Sequence, residues 1–140
     1  MTAKEYLGQA YRIDQRINSK LEQVASLQAL ATKATSTLCH DKVQSSSTKS
    51  MADTIAKIVD LQAEINADID QLVDTKREIV SVIKRIQNPE HQTLLELRYL
   101  CFKSWEQIAV SLGYSIQHIY RLHDKSISCV EIPKDESKCD

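Results

Sequence analysis

Glycine and proline are scarce in this 140-residue chain, with two residues of each. Because both are common in the tight turns of β-rich proteins, their scarcity favours helices over a β architecture. The chain also lacks an apolar run near the ~20 residues that a membrane-spanning helix needs. Its N-terminus carries Glu5 and lacks the apolar segment of a secretory signal, so the sequence predicts a cytoplasmic protein.

Cysteines are few, and no two have the C-x-x-C spacing found in zinc modules. The four are Cys39, Cys101, Cys129 and Cys139. Cys39 and His40 could join Cys129 and Cys139 around a metal, but the spacings match no zinc motif, and we expect reduced thiols without metal or cofactor. Since the chain also has no glycine-rich phosphate loop and no nucleophile–base arrangement, we do not expect an enzyme.

An excess of positive charge is also missing, because the formal net charge is −1. Residues 1–88 hold 12 Lys+Arg against 11 Asp+Glu, and residues 89–140 hold 6 against 8. Neither part has the general attraction to polyanions that a basic domain has. Any DNA binding by the C-terminal part is therefore expected to be weak without a second copy or a partner.

Two long stretches have the heptad spacing of paired helices. The first runs from Ala3 to Leu38, with one polar interruption at Lys20. The second has one row of residues at 55, 62, 69, 76 and 83 and another at 58, 65, 72, 79 and 86. Ser and Thr fill residues 39–50 between them, which predicts a loop, and Ser50 with Asp53 resembles a capping box. We expect an antiparallel coiled-coil hairpin over residues 1–88.

A further apolar column lies beside the second stretch and consists of Val59, Val73 and Val80. A contact between two helices needs only the narrow heptad seam. The column therefore predicts that another surface covers this helix, either a second copy of the chain or the C-terminal domain.

Shorter helices are predicted over residues 89–130. Asn88 is a ready N-cap, and Pro89 suits the first position of a third helix, on which Leu94, Leu97 and Cys101 lie along one side. Ser104 begins a fourth helix that ends at Leu112, and Ser115 begins a fifth that ends near Val130. We expect the acidic tail, residues 131–140, to be frayed.

The fourth and fifth helices have the spacing of a helix-turn-helix. Ala109 precedes Gly113 by four residues, where a larger side chain would push the helices apart, and Gly113 supplies the left-handed turn. Ile119 and Leu122 return to the same core. These features predict an all-α protein with a C-terminal trihelical helix-turn-helix domain.

Polar side chains then lie on the outer side of the fifth helix. Gln can pair with adenine and Arg with guanine in the major groove, and lysines can hold the phosphate backbone. The predicted DNA-binding residues are Ser115, Gln117, His118, Tyr120, Arg121, Lys125 and Lys103, with Arg98 as a further candidate. The alternative is an ordinary trihelical bundle whose outer face is solvated or binds protein. We expect His118 and His123 to be residues of the surface or of its rim rather than ligands.

The segment "LLELRYLCFKSWEQIAVSLGYSIQHIYRLHDKSI" resembles a family of small phage and prophage proteins of Gram-positive bacteria whose function is unknown. It is similar to the ArpU and RinA groups of phage transcriptional regulators and, more distantly, to region 4 of sigma factors. "AKEYLGQAYRIDQRINSKLEQ" and "DTIAKIVDLQAEINADIDQLVDTKREIVSVI" resemble the family's N-terminal helices.

This resemblance implies a regulator that binds double-stranded DNA, with Gln117, His118 and Arg121 as readers and RNA polymerase as a second partner. The column of valines implies a homodimer through the long helices. The alternative that the near-neutral head leaves open is a coiled-coil protein that binds another protein, such as an anti-sigma-like factor or a binder of host factors, without specific DNA recognition.

Overall fold

The computed structural model describes residues 1–38 and 45–133, with only the backbone of residues 34–38 and 45–49. Within these residues, six α-helices and one π-helical turn follow each other. They are α1 (Ala3–Leu7), α2 (Gln9–Leu38), α3 (Ser45–Lys84), α4 (Pro89–Leu95), the π turn (Glu96–Leu100), α5 (Trp105–Leu112) and α6 (Ile116–Ser128). The described ranges contain no strand, which confirms the all-α class. None of the helices in these ranges is both long and apolar enough to cross a lipid bilayer.

The chain divides into two compact units. One is Ile13–Gln71, and the other combines Met1–Arg12 with the residues from Leu72 onward. In the first unit, α2 and α3 contact each other through Lys20, whose Nζ lies 2.7 Å from Asp68 and 3.6 Å from Glu64. Arg16 lies 3.9 Å from Asp68, so residue numbers rise along α2 as they fall along α3, which is antiparallel order.

The seam of α3 differs from one of the two rows that the heptad spacing predicts. Ile65 is buried as expected, but Ile55 and Ile69 are 50% and 41% exposed. Asp68 is buried instead of its neighbour Ile69, because its carboxylate pairs with the Lys20 ammonium across the seam. The single polar residue of the first stripe therefore has a polar partner, and part of the predicted apolar row faces solvent.

Two predicted helix boundaries are wrong. The first stretch is interrupted at Gly8, which ends α1, and its N–H bonds to the Lys4 carbonyl before α2 begins. The predicted loop over residues 39–50 is already helical from Ser45, so Ser50 lies inside α3 and its carbonyl accepts a hydrogen bond from the Thr54 hydroxyl. Residues 39–44 of that loop lie outside the described residues.

In the other unit, the adjacent residues Leu94 and Leu95 of α4 enter two different apolar clusters. Leu95 packs with α1, the start of α2 and the end of α3. The cluster consists of Tyr6, Leu7, Ala10, Ile79, Val82, Ile83, Ile86 and Leu95. Leu94 packs with α5 and α6, in a cluster of Leu94, Ile108, Ala109, Ile119 and Leu122. Ile132, from the predicted tail, also packs against the first cluster, whereas residues 134–140 are not described.

The predicted third helix does not stay regular. After Leu95 the chain makes a π turn, in which the Cys101 N–H bonds to the Glu96 carbonyl. Phe102 then takes a left-handed conformation with φ of 58°. The wider turn shifts the helical phase, so Cys101 is exposed instead of facing inward with Leu94.

Candidate nucleic-acid interface

The helix α5 begins and ends at signals that are local in the sequence. The Ser104 side chain accepts the Gln107 N–H, and the Gln107 side chain accepts the Ser104 N–H, which forms the predicted capping box. These bonds satisfy two backbone groups that the first turn leaves free. They fix where α5 starts, so Ile108 and Ala109 face the second cluster.

Gly113 makes the corner between α5 and α6. Its φ of 74° and ψ of 30° are left-handed, and its N–H and that of Tyr114 both bond to the Ala109 carbonyl, at 2.9 and 3.0 Å. A Cβ at this position would meet no atom within 4 Å. Glycine is therefore favoured here by its backbone freedom and not by lack of space.

The helix α6 is amphipathic, and its inner face is set by Ile119 and Leu122, as the sequence predicts. Ser115 caps the helix, and its hydroxyl oxygen accepts the His118 N–H at 3.2 Å. The last helical residue is Ser128, two residues before the predicted end, a difference within normal helix fraying.

Most of the predicted DNA-binding residues lie on the surface of α6 or at its start. Six of them are exposed: Ser115, Gln117, His118, Tyr120, Arg121 and Lys125. Gln117, Arg121 and Asp124 are spaced by four and three residues and share one face. This face carries a single cation and a single anion among these three side chains, so it offers hydrogen-bonding groups with little net charge.

Two of these residues are held by aromatic contacts. The His118 ring lies edge-on to Tyr114, with centroids 4.6 Å apart, and the Tyr120 ring lies edge-on to Trp105 at 5.5 Å. The Glu90 carboxylate, through hydrogen bonding and its negative charge, raises the pKa of the Tyr114 phenol. His118 and Tyr120 are therefore exposed, yet oriented by the domain beneath them.

Lys103 and Arg98 are less available than the sequence predicts. Lys103 is half-buried, and its carbonyl accepts a hydrogen bond from the Arg98 guanidinium at 3.0 Å. That guanidinium lies 4.3 Å from the centroid of the Trp105 ring, a cation–π contact. Arg98 therefore joins the π turn to α5, which leaves Lys125 and Arg121 as the cations of the outer surface of α6.

A hydrogen-bonded pair lies beneath this surface, formed by half-buried Tyr99 and buried His123, and it contradicts the expected exposure of His123. That residue is 5% exposed, and its Nε2 lies 2.7 Å from the Tyr99 hydroxyl. Its ring also meets Trp105 edge-on at 4.7 Å. Burial, with smaller contributions from Lys4 and Arg98 that outweigh an opposing one from Asp124, lowers the pKa of His123 to about 4.

The sequence contains a signal for the burial of His123. Ile119, Leu122 and Ser126 are buried, and His123 follows Ile119 by four residues and precedes Ser126 by three, which places it on the same helical face. A histidine at such a position needs a polar partner. The sequence does not indicate Tyr99 as that partner, because it lies 24 residues earlier, in the irregular π turn.

The described part of the chain contains no group of three or more His, Cys, Asp or Glu side chains that could hold a metal. Cys101 and Cys129 are exposed thiols. Cys39, His40 and Cys139, which the metal hypothesis also invoked, lie outside the described residues.

Residues 32–131 match the family described as "Protein of unknown function (DUF1492)", and the chain belongs to this family. The match covers the end of α2 and all of α3 to α6, and it begins after "AKEYLGQAYRIDQRINSKLEQ", the first of the two N-terminal segments with the predicted resemblance. No curated protein and no solved structure matches the chain.

Proposed function

We propose that the protein is a DNA-binding transcriptional regulator in which α6 enters the major groove. The observation that carries the proposal is the left-handed corner at Gly113, after which α6 turns Gln117 and Arg121 outward while Ile119 and Leu122 stay in the core. Helix-turn-helix proteins present a polar helix face to base edges in this way. Gln117 is suited to adenine and Arg121 to guanine.

The sequence resemblance to the ArpU and RinA groups and to region 4 of sigma factors supports a phage or prophage regulator. In sigma region 4, a comparable unit binds promoter DNA beside RNA polymerase, so polymerase is the proposed second partner. The resemblance is greatest over "GYSIQHIYRLH", which spans the corner and the outer face of α6.

The charge of the domain supports weak binding by each copy. Between residues 91 and 128 there are four Lys+Arg and three Asp+Glu. Arg98 contacts Trp105 and the Lys103 carbonyl, which reduces the cations available to phosphates. One copy should give a salt slope of roughly 2–4, since each neutralised phosphate contributes about one unit. Two copies, or polymerase, would supply the remaining affinity.

The test is selection of bound sequences from random duplex DNA by the purified protein, with and without RNA polymerase. Gln117→Ala and Arg121→Ala should each weaken the selected site by about 1–3 kcal/mol and relax preference at one base pair. The matched controls are Gln71→Ala and Arg85→Ala. Both residues are exposed; Gln71 lies in α3, and Arg85 directly follows its last residue. Equal losses in test and control variants, or no sequence preference under either condition, would contradict the proposal.

The second candidate is a protein-interaction module without specific DNA binding. It is favoured by the near-neutral outer face of α6 and by the 84% exposure of Val110 on α5. Capture of a host protein that survives nuclease treatment and is lost in Val110→Asp would support it. Capture by the wild type that is lost on nuclease treatment and restored by added DNA, and that is absent in Gln117→Ala, would support the regulator instead.

A further inference from the structure

A row of side chains along α3 is exposed although most of its members are apolar. Ile55, Val59, Ile69 and Val73 are 50%, 57%, 41% and 47% exposed. Gln62 and Asn66, also exposed, lie between them. We call these six residues the outer stripe. Their spacing alternates between four and three residues, which is the spacing of a second heptad seam.

Each member of the outer stripe directly follows a buried or half-buried residue of the α3 seam, as Val59 follows Ile58 and Ile69 follows Asp68. The stripe is therefore rotated by about 100° from that seam along its length. On α2, exposed Leu21 follows Lys20 in the same way. Because the two helices are antiparallel and face each other, the same rotation on both brings Leu21 and the outer stripe to one side of the pair.

The outer stripe has the same chemical order in both chain directions: two apolar residues, two amides and two apolar residues. If a second copy pairs with it in antiparallel order, Gln62 meets Asn66 of the second copy. Val59 then meets Ile69, and Ile55 meets Val73. Carboxamides both donate and accept hydrogen bonds, so the central pair is satisfied, while the flanking pairs bury apolar surface.

Leu21 lies at the same height along the helix axes as the centre of the outer stripe. The Lys20 Nζ is 3.6 Å from Glu64, and residue 64 is midway between Gln62 and Asn66. A two-fold axis perpendicular to the helices at this level therefore brings Leu21 of both copies together. A two-fold axis parallel to the helices would instead place the outer stripe of α3 against α2 of the second copy. Asp14 and Gln28, seven residues before and after Leu21, would then face the apolar residues of the stripe.

The geometry points to a homodimer in which the outer stripe of α3 pairs antiparallel with that of a second copy and Leu21 packs at the two-fold axis. The product is a four-helix arrangement over this part of the chain. The inference specifies the dimer that the proposed function includes. Its tests measure mass and proximity without DNA, so a failure here is separate from a failure of DNA recognition.

The first experiment measures the solution mass of the full chain by sedimentation equilibrium. The wild type should have twice the chain mass at micromolar concentration. Val59→Glu should raise the dimer dissociation constant about a hundredfold or more, because each dimer would bury two unpaired carboxylates. Leu30→Glu is the matched control: both residues are 57% exposed, but Leu30 is nine residues from Leu21 and so on the opposite side of α2.

The second experiment tests the register and does not depend on Val59→Glu folding. In a background with all four cysteines replaced by serine, one preparation carries Gln62→Cys and another, of different mass, carries Asn66→Cys. Mixing and oxidation should give the mixed disulfide at least fivefold over either symmetric product. In the proposed register, residue 62 of one copy lies directly opposite residue 66 of the other. The two residues 62, or the two residues 66, are instead about 6 Å apart along the helix axis.

A monomeric wild type at 100 µM would overturn the inference, and so would a dimer that Val59→Glu and Leu30→Glu weaken equally. Predominance of the symmetric Gln62→Cys product would contradict the antiparallel register. A dimer that is lost in Val59→Glu, kept in Leu30→Glu and trapped as the mixed disulfide would establish it.

Discussion

Phe102 has a left-handed backbone that an aromatic residue rarely adopts, with φ of 58°. Its ring compensates by packing edge-on to Tyr11, with centroids 5.6 Å apart, and by lying 4.8 Å beneath the Lys76 ammonium. Strain at such a residue persists only where surrounding contacts outweigh it. Packing of the Phe102 ring therefore helps to hold the turn after the π helix, where the local conformation is unfavourable. Hydrogen bonds from the Lys103 N–H to the Leu97 carbonyl and from Arg98 to the Lys103 carbonyl close the same turn.

At residue 102, glycine should destabilise the fold less than alanine, which is the reverse of their usual order of stability. Phe102→Ala should lower the free energy of unfolding by about 2 kcal/mol through lost packing. Phe102→Gly should be about 1 kcal/mol more stable than Phe102→Ala, because glycine adopts positive φ without steric cost. Urea denaturation measures both.

The control for this order is the neighbouring residue. Cys101 is exposed and has φ of −97°, so Cys101→Ala should be at least as stable as Cys101→Gly. Finding alanine more stable than glycine at residue 102 as well would contradict the account of strain.

His123 should make stability depend on pH in a defined window. Its pKa is lowered to about 4 in the fold from an unfolded value of 6.5, so the unfolded chain binds more protons between these values. Stability is therefore fully present above pH 6.5 and is lost as pH falls towards 4. We expect a loss on the order of 1–2 kcal/mol from this residue, discounted for partial solvent screening.

The test compares urea denaturation at pH 7 and pH 4.5 for two substitutions. His123→Gln should reduce the difference between the two pH values, since no imidazole remains to be protonated under Tyr99. His118→Gln changes an exposed histidine and should leave the difference as in the wild type. An unchanged difference in His123→Gln would show that carboxylates alone cause it.

At the scale of the helices, the contact between Lys20 and Asp68 selects which side of α3 faces α2. The ammonium and carboxylate are 2.7 Å apart, with side chains only 19% and 12% exposed. Asp68→Ala alone should cost about 2–3 kcal/mol, because it leaves a largely buried cation with fewer partners. Replacing both residues by leucine should be neutral or stabilising, as for other buried pairs.

A double-mutant cycle on thermal unfolding measures this coupling. Lys20→Leu and Asp68→Leu should each be less stable than the double variant. Additive effects would mean that the pair does not determine the seam. Arg16 also lies 3.9 Å from Asp68, but its side chain is 53% exposed. This ion pair should therefore contribute far less to the free energy of unfolding.

How far the sequence predicts these elements depends on whether their determinants are local. Ser104 with Gln107, Gly113 and Ser115 act within a few residues, and the structure has the corner and both helix starts where they were predicted. The phase of α3 was not predictable in the same way. Ile69 and Asp68 are adjacent, and the apolar residue suits a seam better. The acid is favoured by cations on the other helix, chiefly Lys20 at 2.7 Å.

The π turn was not predictable for a related reason. Leu94, Leu95, Leu97 and Leu100 are apolar on every side of the segment, so the periodicity does not indicate a wider turn. Among the site residues, the exposure of Gln117 and Arg121 followed from the positions of Ile119 and Leu122. The contact of Arg98 with Trp105 could not be predicted in this way, because it depends on the π turn, which the sequence does not indicate.

For the whole molecule, we expect DNA affinity to depend on the dimer. Two copies should together neutralise about twice as many phosphates as one, so the salt slope of the wild type should be roughly 4–8. In Val59→Glu it should fall to roughly 2–4, with affinity at least tenfold lower at equal salt. Fluorescence anisotropy on a selected duplex at several salt concentrations measures both.

The same titration with Leu30→Glu provides the control, and its slope should match that of the wild type. If Val59→Glu binds DNA with an undiminished slope, the heads act independently of the outer stripe. DNA recognition would then stand without the dimer.

The most direct test of the central claim is selection of duplex DNA by the wild type and by the double variant Gln117→Ala, Arg121→Ala. The outward face of α6 predicts that the wild type, alone or with RNA polymerase, enriches one motif and that the double variant loses that enrichment while keeping its helical content and mass. Enrichment of the same motif by both proteins would contradict the claim.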